Sequence, residues 1–135
     1  MSENEKAGNS RQNTILYYDA DAAIYQIVTC YLNLTKFKVV ASLKATDVLH
    51  KLDRQKFSCI VLGPDSDGVL DQILSTLSSK DSLNLATPVV ILTPATAELN
   101  VEETYKDRIH GVVKRPFKLS GLHQTMMVAI ASAIV

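Results

Sequence analysis

Thr14-Ile15-Leu16-Tyr17-Tyr18-Asp19-Ala20-Asp21-Ala22-Ala23-Ile24-Tyr25-Gln26-Ile27-Val28 passes from an unbroken apolar block, through a short acidic turn, into a segment of helical period. A continuous apolar run suits a strand buried on both faces, which is the condition of a parallel sheet. Beyond the turn, Ala23, Ile24, Ile27, Val28, Tyr31 and Leu32 fall at i, i+3/i+4 spacing, which predicts an amphipathic helix packed on that sheet. Asp19 or Asp21 would cap it.

The alternation continues along the chain. Strands are expected at Thr14–Tyr18, Lys38–Ser42, Cys59–Leu62, Val89–Thr93 and Val112–Lys114. A second helix is expected from about Thr46, with Val48, Leu49 and Leu52 inward, and a third after Asp67, carrying Val69, Leu70, Ile73, Leu74 and Leu77. The fourth would start near Asn100, where Asn100 and Glu103 have capping-box spacing, and end before Gly111. The fifth would follow Ser120, with a stripe of Leu122, Met126, Ala129, Ile130 and Ala133. That stripe, with Met127, reads as core rather than as a cofactor site. The pattern predicts an α/β fold, (βα)5, a doubly wound parallel five-stranded sheet over residues 14–135. Residues 1–13 hold one apolar residue after the initiator, Ala7, and read as a flexible tail.

A length of 135 residues suits one such domain, and 47% hydrophobic with 21% charged residues is ordinary globular composition. Fourteen basic and fourteen acidic residues cancel, so no overall field favours nucleic acid or an anionic membrane. Cys30 and Cys59 sit in apolar stretches, are expected to behave as small hydrophobes, and form no CxxC pair, which suits a reduced, cytoplasmic protein. The apolar run Met126–Val135 is too short for a membrane span and reads as a buried helix.

In a parallel α/β sheet, functional groups gather beyond the carboxyl ends of the strands. Here those ends are Asp19, Gly63, Thr93 and Arg115-Pro116-Phe117. The turn Asp19-Ala20-Asp21-Ala22 has no glycine, which removes both the dinucleotide fingerprint and the phosphate loop. There is no Gly-x-Ser-x-Gly elbow, and His50, His110 and His123 lack metal-ligand spacing. No enzymatic activity is expected. Asp19 and Asp21 are the residues that could hold Mg²⁺, although helix capping explains them more simply, and no cofactor is expected.

Four stretches then resemble, together and in order, the receiver domain of bacterial two-component response regulators. They are Ile15-Leu16-Tyr17-Tyr18-Asp19-Ala20-Asp21, Phe57-Ser58-Cys59-Ile60-Val61-Leu62, Thr87-Pro88-Val89-Val90-Ile91-Leu92-Thr93 and Val112-Val113-Lys114-Arg115-Pro116-Phe117. The resemblance covers Thr14 to Val135 and implies a CheY-like, flavodoxin-like strand order 2-1-3-4-5. In that family an acidic pair after the first strand holds Mg²⁺, an aspartate ending the third accepts a phosphoryl group, a Thr or Ser ends the fourth, and a lysine precedes a proline after the fifth. Residue by residue, Asp19 falls on the first acid, Ala20 on the second, Gly63 on the phosphoacceptor and Thr93 on the switch hydroxyl. Arg115 precedes Pro116, with Lys114 one earlier, so the lysine is either replaced or displaced. Another reading leaves Lys114 and Arg115 exposed, with Phe117 anchoring the turn.

Gly63 has no side chain to phosphorylate. Asp65 or Asp67 could act instead, but both are explained as turn formers and as the cap of the third helix. The resemblance thus implies a pseudo-receiver in two-component signalling, working through protein–protein interaction. The rivals are a receiver phosphorylated at Asp65 or Asp67, or a small-molecule-binding domain using the strand-end pocket. It also implies contact with a signalling partner or output domain, or a homodimer, through the face of the fourth helix, fifth strand and fifth helix. Glu102, Glu103, Tyr105, Lys106, Lys114 and His123 would form that face.

Overall fold

In the computed structural model the described residues are 14–93, 103–115 and 117–134. The expected tail over 1–13 and the expected helix start at Asn100 lie outside them, as do Glu102 and Pro116. The strands are β1 Thr14–Asp19, β2 Lys38–Ser42, β3 Cys59–Gly63, β4 Val89–Thr93 and β5 Ile109–Lys114. The helices are α1 Ala22–Asn33, α2 Ala45–Arg54, α3 Asp67–Leu77 and α4 Leu119–Ile134. The five strands form one parallel sheet in the order β2-β1-β3-β4-β5. The inner strands β1, β3 and β4 are buried along their whole length, as unbroken apolar runs require.

Two apolar layers flank the sheet. On one face Leu16, Tyr18, Ile60, Leu62 and Ile91 meet Val48, Leu52, Leu70, Ile73, Leu74 and Leu77 of α2 and α3. On the other, Ile15, Tyr17, Val61, Val90, Leu92 and Val113 meet Val28 and Leu32 of α1 and Leu122, Met126 and Ala129 of α4. The two-residue alternation of each strand sorts its side chains between these layers.

Several expectations need correction. The fourth helical segment is, over the described residues, a 3₁₀ helix at Glu103–Arg108. β5 begins at Ile109 rather than Val112, because the register slips between Val89 and Val90 and lets His110 bulge out before Gly111 pairs. Gly111 is needed there, since a Cβ would fall 2.6 Å from Thr125 Cγ2 of α4. α1 turns Tyr25 toward the core and leaves Ala23 and Ile27 outside, because its inward line runs through Val28 and Leu32. Ala133 is exposed for the same reason on α4, and Cys30 is exposed while Cys59 is buried. Ser66, not Asp67, caps α3, accepting from the Val69 amide at 3.3 Å.

The connection from α3 to β4 is tied down by a buried residue that the sequence did not single out. Asn84 Oδ1 accepts from the Phe57 amide at 2.8 Å and from the Thr87 hydroxyl at 3.0 Å. Its Nδ2 donates to the Leu52 and Gln55 carbonyls at 3.1 and 2.9 Å. Arg108 Nη2 donates to the Asn84 and Thr87 carbonyls, joining the 3₁₀ segment to this knot. Among the described residues no helix is long and apolar enough to cross a membrane.

Candidate functional site

The carboxyl ends of β1 and β3 meet directly, with Asp19 opposite Gly63 and the Ala20 amide donating to the Gly63 carbonyl at 3.0 Å. Asp19 is fully buried. The Tyr17 hydroxyl donates to its Oδ2 at 2.7 Å, which the i, i+2 spacing on one strand face permits. The Asp21 amide donates to its Oδ1 at 2.9 Å. Asp21 in turn caps α1, its Oδ1 accepting from the Ala23 and Ile24 amides at 2.9 and 3.1 Å. Ala20, between them, points to the opposite face and packs against the layer of α2 and α3. The two acids therefore share one side, and Ala20 between them carries no charge.

Arg115 closes this group from β5. Val113 is buried toward α1 and α4, Lys114 is exposed, and strand alternation returns Arg115 to the inner side. Its amide donates to the Thr93 carbonyl at 2.8 Å. Its guanidinium reaches Asp19 Oδ1 at 3.9 Å and Asp21 Oδ2 at 3.6 Å. The reading that exposes both cations is corrected for Arg115, whereas Lys114 does face solvent; Phe117 packs half-buried on the adjoining core. Thr93 is buried, and its hydroxyl has no hydrogen-bond partner among the described residues.

Electrostatics follow from this burial. Desolvation pushes the Asp19 carboxyl above the usual carboxylate range, while Tyr17, the Asp21 amide and Arg115 pull it back. Burial and the carboxylate beside it push the Tyr17 phenol well above its ordinary value, so it serves as a fixed donor.

Gly63 explains how Asp19 fits. A Cβ at that position would lie 2.7 Å from Asp19 Cγ and 3.0 Å from Oδ1, with Oδ2 closer still. The carboxylate lies over the glycine, in the volume a side chain there would occupy. As a donor set for Mg²⁺ the arrangement does not fit. Both Asp19 oxygens and both Asp21 oxygens are engaged by amides, a hydroxyl or Arg115, and position 63 adds no oxygen ligand from a side chain. Among the described residues no group of three or more His, Cys, Asp or Glu could hold a metal ion.

The remaining expected residues lie apart. Asp65 and Asp67 are exposed on the turn into α3, with Asp65 near enough to Tyr18 to raise its phenol pKa, after burial itself. Tyr105 is half-buried against the α2 and α3 layer and Lys106 is exposed; the Glu103 side chain, like Glu102, lies outside the described part. His123 does not join them. It packs between Tyr31, at a ring distance of 6.4 Å, and Phe37, at 5.7 Å, on the α1 side of α4, because its helical phase points away from β5.

No protein-family model matches the chain, and no curated protein does. Solved structures do match. A sensor protein from Polaromonas sp. JS666 superposes with a TM-score of 0.74 at 19% identity, covering 90% of this chain and 98% of that one. The receiver domain of a sensor histidine kinase from Pseudomonas aeruginosa PAO1, solved with magnesium in its active-site cleft, gives 0.70 at 17% identity, covering 88% and 98%. The receiver domain of a Francisella response regulator gives 0.68 at 20%, covering 89% and 98%. The fold is that of CheY-like receiver domains.

Proposed function

We infer that the chain is a pseudo-receiver: a two-component-type signalling module that is not phosphorylated at the end of β3 and acts by binding protein partners. One observation carries the reading. The place where a receiver would present its acceptor carboxylate is Gly63, and the volume above it is filled by Asp19, which Tyr17, the Asp21 amide and Arg115 hold there. Phosphoryl transfer to a carboxylate needs a free nucleophile in line and cations on the leaving oxygens. Here the acid is buried and partnered, and the cation is already paired with the acidic turn. The module would work without Mg²⁺ and without enzymatic turnover, in a cytoplasmic signalling assembly.

Incubation with Mg²⁺ and a small phosphodonor such as acetyl phosphate, followed by intact mass measurement, tests it. The expected result is no added phosphoryl group. A phosphoryl mass mapped to Asp65 or Asp67 would overturn the reading in favour of an atypical receiver.

A further inference from the structure

We propose that the outer face of α1, with the adjoining flank of α4, pairs with a second copy of this chain across a two-fold axis. The chain is 21% charged, yet neither α1 nor α4 contains a single Asp, Glu, Lys or Arg. α2, by contrast, carries Asp47, Lys51, Asp53 and Arg54. Ordinary solvent-facing helices keep charge on their outer side.

α1 has two apolar stripes. One, through Ile24, Val28, Tyr31 and Leu32, packs on the sheet. The other, Ala23, Ile27, Cys30 and Leu34, advances by four, three and four residues and faces out. Ile27 is 55% and Leu34 86% exposed. Alternating four- and three-residue steps form the seam along which one helix packs on another. These four residues line an open groove of about 560 Å³ that Leu119 of α4 completes. One turn past His123 on the same flank, Met127 is 47% exposed and extends the apolar strip along α4.

The absence of charge selects the occupant. A partner with a charged binding helix would find no counter-charge on this face, whereas a second copy brings a neutral apolar seam and no like-charge repulsion. Two antiparallel copies of α1 would seat Ile27 and Cys30 of each against the other, at the roughly 8–10 Å axis separation of packed helices. The Cys30 thiols would then lie close together. The groove runs along α1 from Ala23 to Leu34, and self-association through it does not depend on whether any aspartate is phosphorylated.

Light scattering across a concentration series of the full 135-residue chain tests it, together with a short bismaleimide cross-linker. Cys59 is fully buried, so the cross-linker reports on Cys30. The expected result is a reversible dimer, linked through Cys30, not linked in Cys30→Ser, and weakened about tenfold or more by Leu34→Glu or Ile27→Glu. Both glutamates replace exposed side chains, and circular dichroism checks that each variant folds. A monomer at every concentration overturns the proposal. So does a dimer indifferent to both glutamates, or a face that captures a different protein without self-association.

Discussion

The carboxylate of Asp19 on β1 lies over the backbone of Gly63 on β3, so the two residues share one side-chain volume between them. A methyl group at position 63 must displace a carboxylate that is buried and held by two hydrogen bonds. Gly63→Ala should therefore destabilise the fold by about 1–3 kcal/mol, the usual cost of overpacking a tight site. In an Asp19→Ala background the same change should cost much less, and a double-mutant cycle by urea denaturation measures the coupling. Additive effects would mean that the two positions do not compete for space.

The Tyr17 hydroxyl is the other support of that carboxylate. Tyr17→Phe leaves a buried carboxylate oxygen without its donor and should cost about 1–3 kcal/mol, read as a lower urea midpoint at an unchanged slope.

Asp19 also predicts a pH dependence. Its carboxyl is raised in the folded state, so between the ordinary carboxylate pKa and the raised one the native protein binds the extra proton. The contribution of this group to stability is then greatest at low pH and declines as pH rises through that window. Other acids add their own trends, so the difference between wild type and Asp19→Asn isolates it. Wild-type Tm relative to Asp19→Asn should fall as pH is raised from about 4 toward neutrality.

The two thiols should behave oppositely. Cys30 is exposed, whereas burial pushes the Cys59 thiol up to about 12 and removes it from solvent. Titration with a chromogenic disulfide should count one thiol in the native protein and a second only on unfolding.

Asn84 should be among the costlier polar residues to lose. Asn84→Ala orphans the Phe57 amide and the Leu52 and Gln55 carbonyls, and should destabilise by at least about 2 kcal/mol in thermal or urea unfolding.

Much of this architecture is legible in the sequence, for identifiable reasons. β1, β3 and β4 are unbroken apolar runs, which only a two-sided burial explains, and β2 and β4 fall at the expected bounds. The start of β5 is hidden because His110 and Gly111 look like a turn, and only the fit of Thr125 of α4 against Gly111 shows why a glycine belongs in the strand. The outer face of α1 is hidden because its two apolar stripes overlap in a single periodic pattern, so Ile27 reads as core. At the strand ends, the sequence shows which residue types stand at each position. It cannot show that Arg115 turns inward while Lys114 turns out, since that depends on where the alternation of β5 begins. Nor does it distinguish Asn84 from the many turn asparagines that face water, because three of its partners, Leu52, Gln55 and Phe57, come from a distant segment.

The interlock of positions 19 and 63 also constrains the order in which the chain can change. With Asp19 in place, no single replacement of Gly63 by a residue with a Cβ enters without a clash, whatever the chemistry of that residue. A carboxylate at 63 becomes accessible only after position 19 has shortened or its hold by Tyr17 and Arg115 has loosened. Each of those earlier steps removes partners from buried groups before any new function could compensate. The pair acts as a steric ratchet, passable only when position 19 changes before position 63.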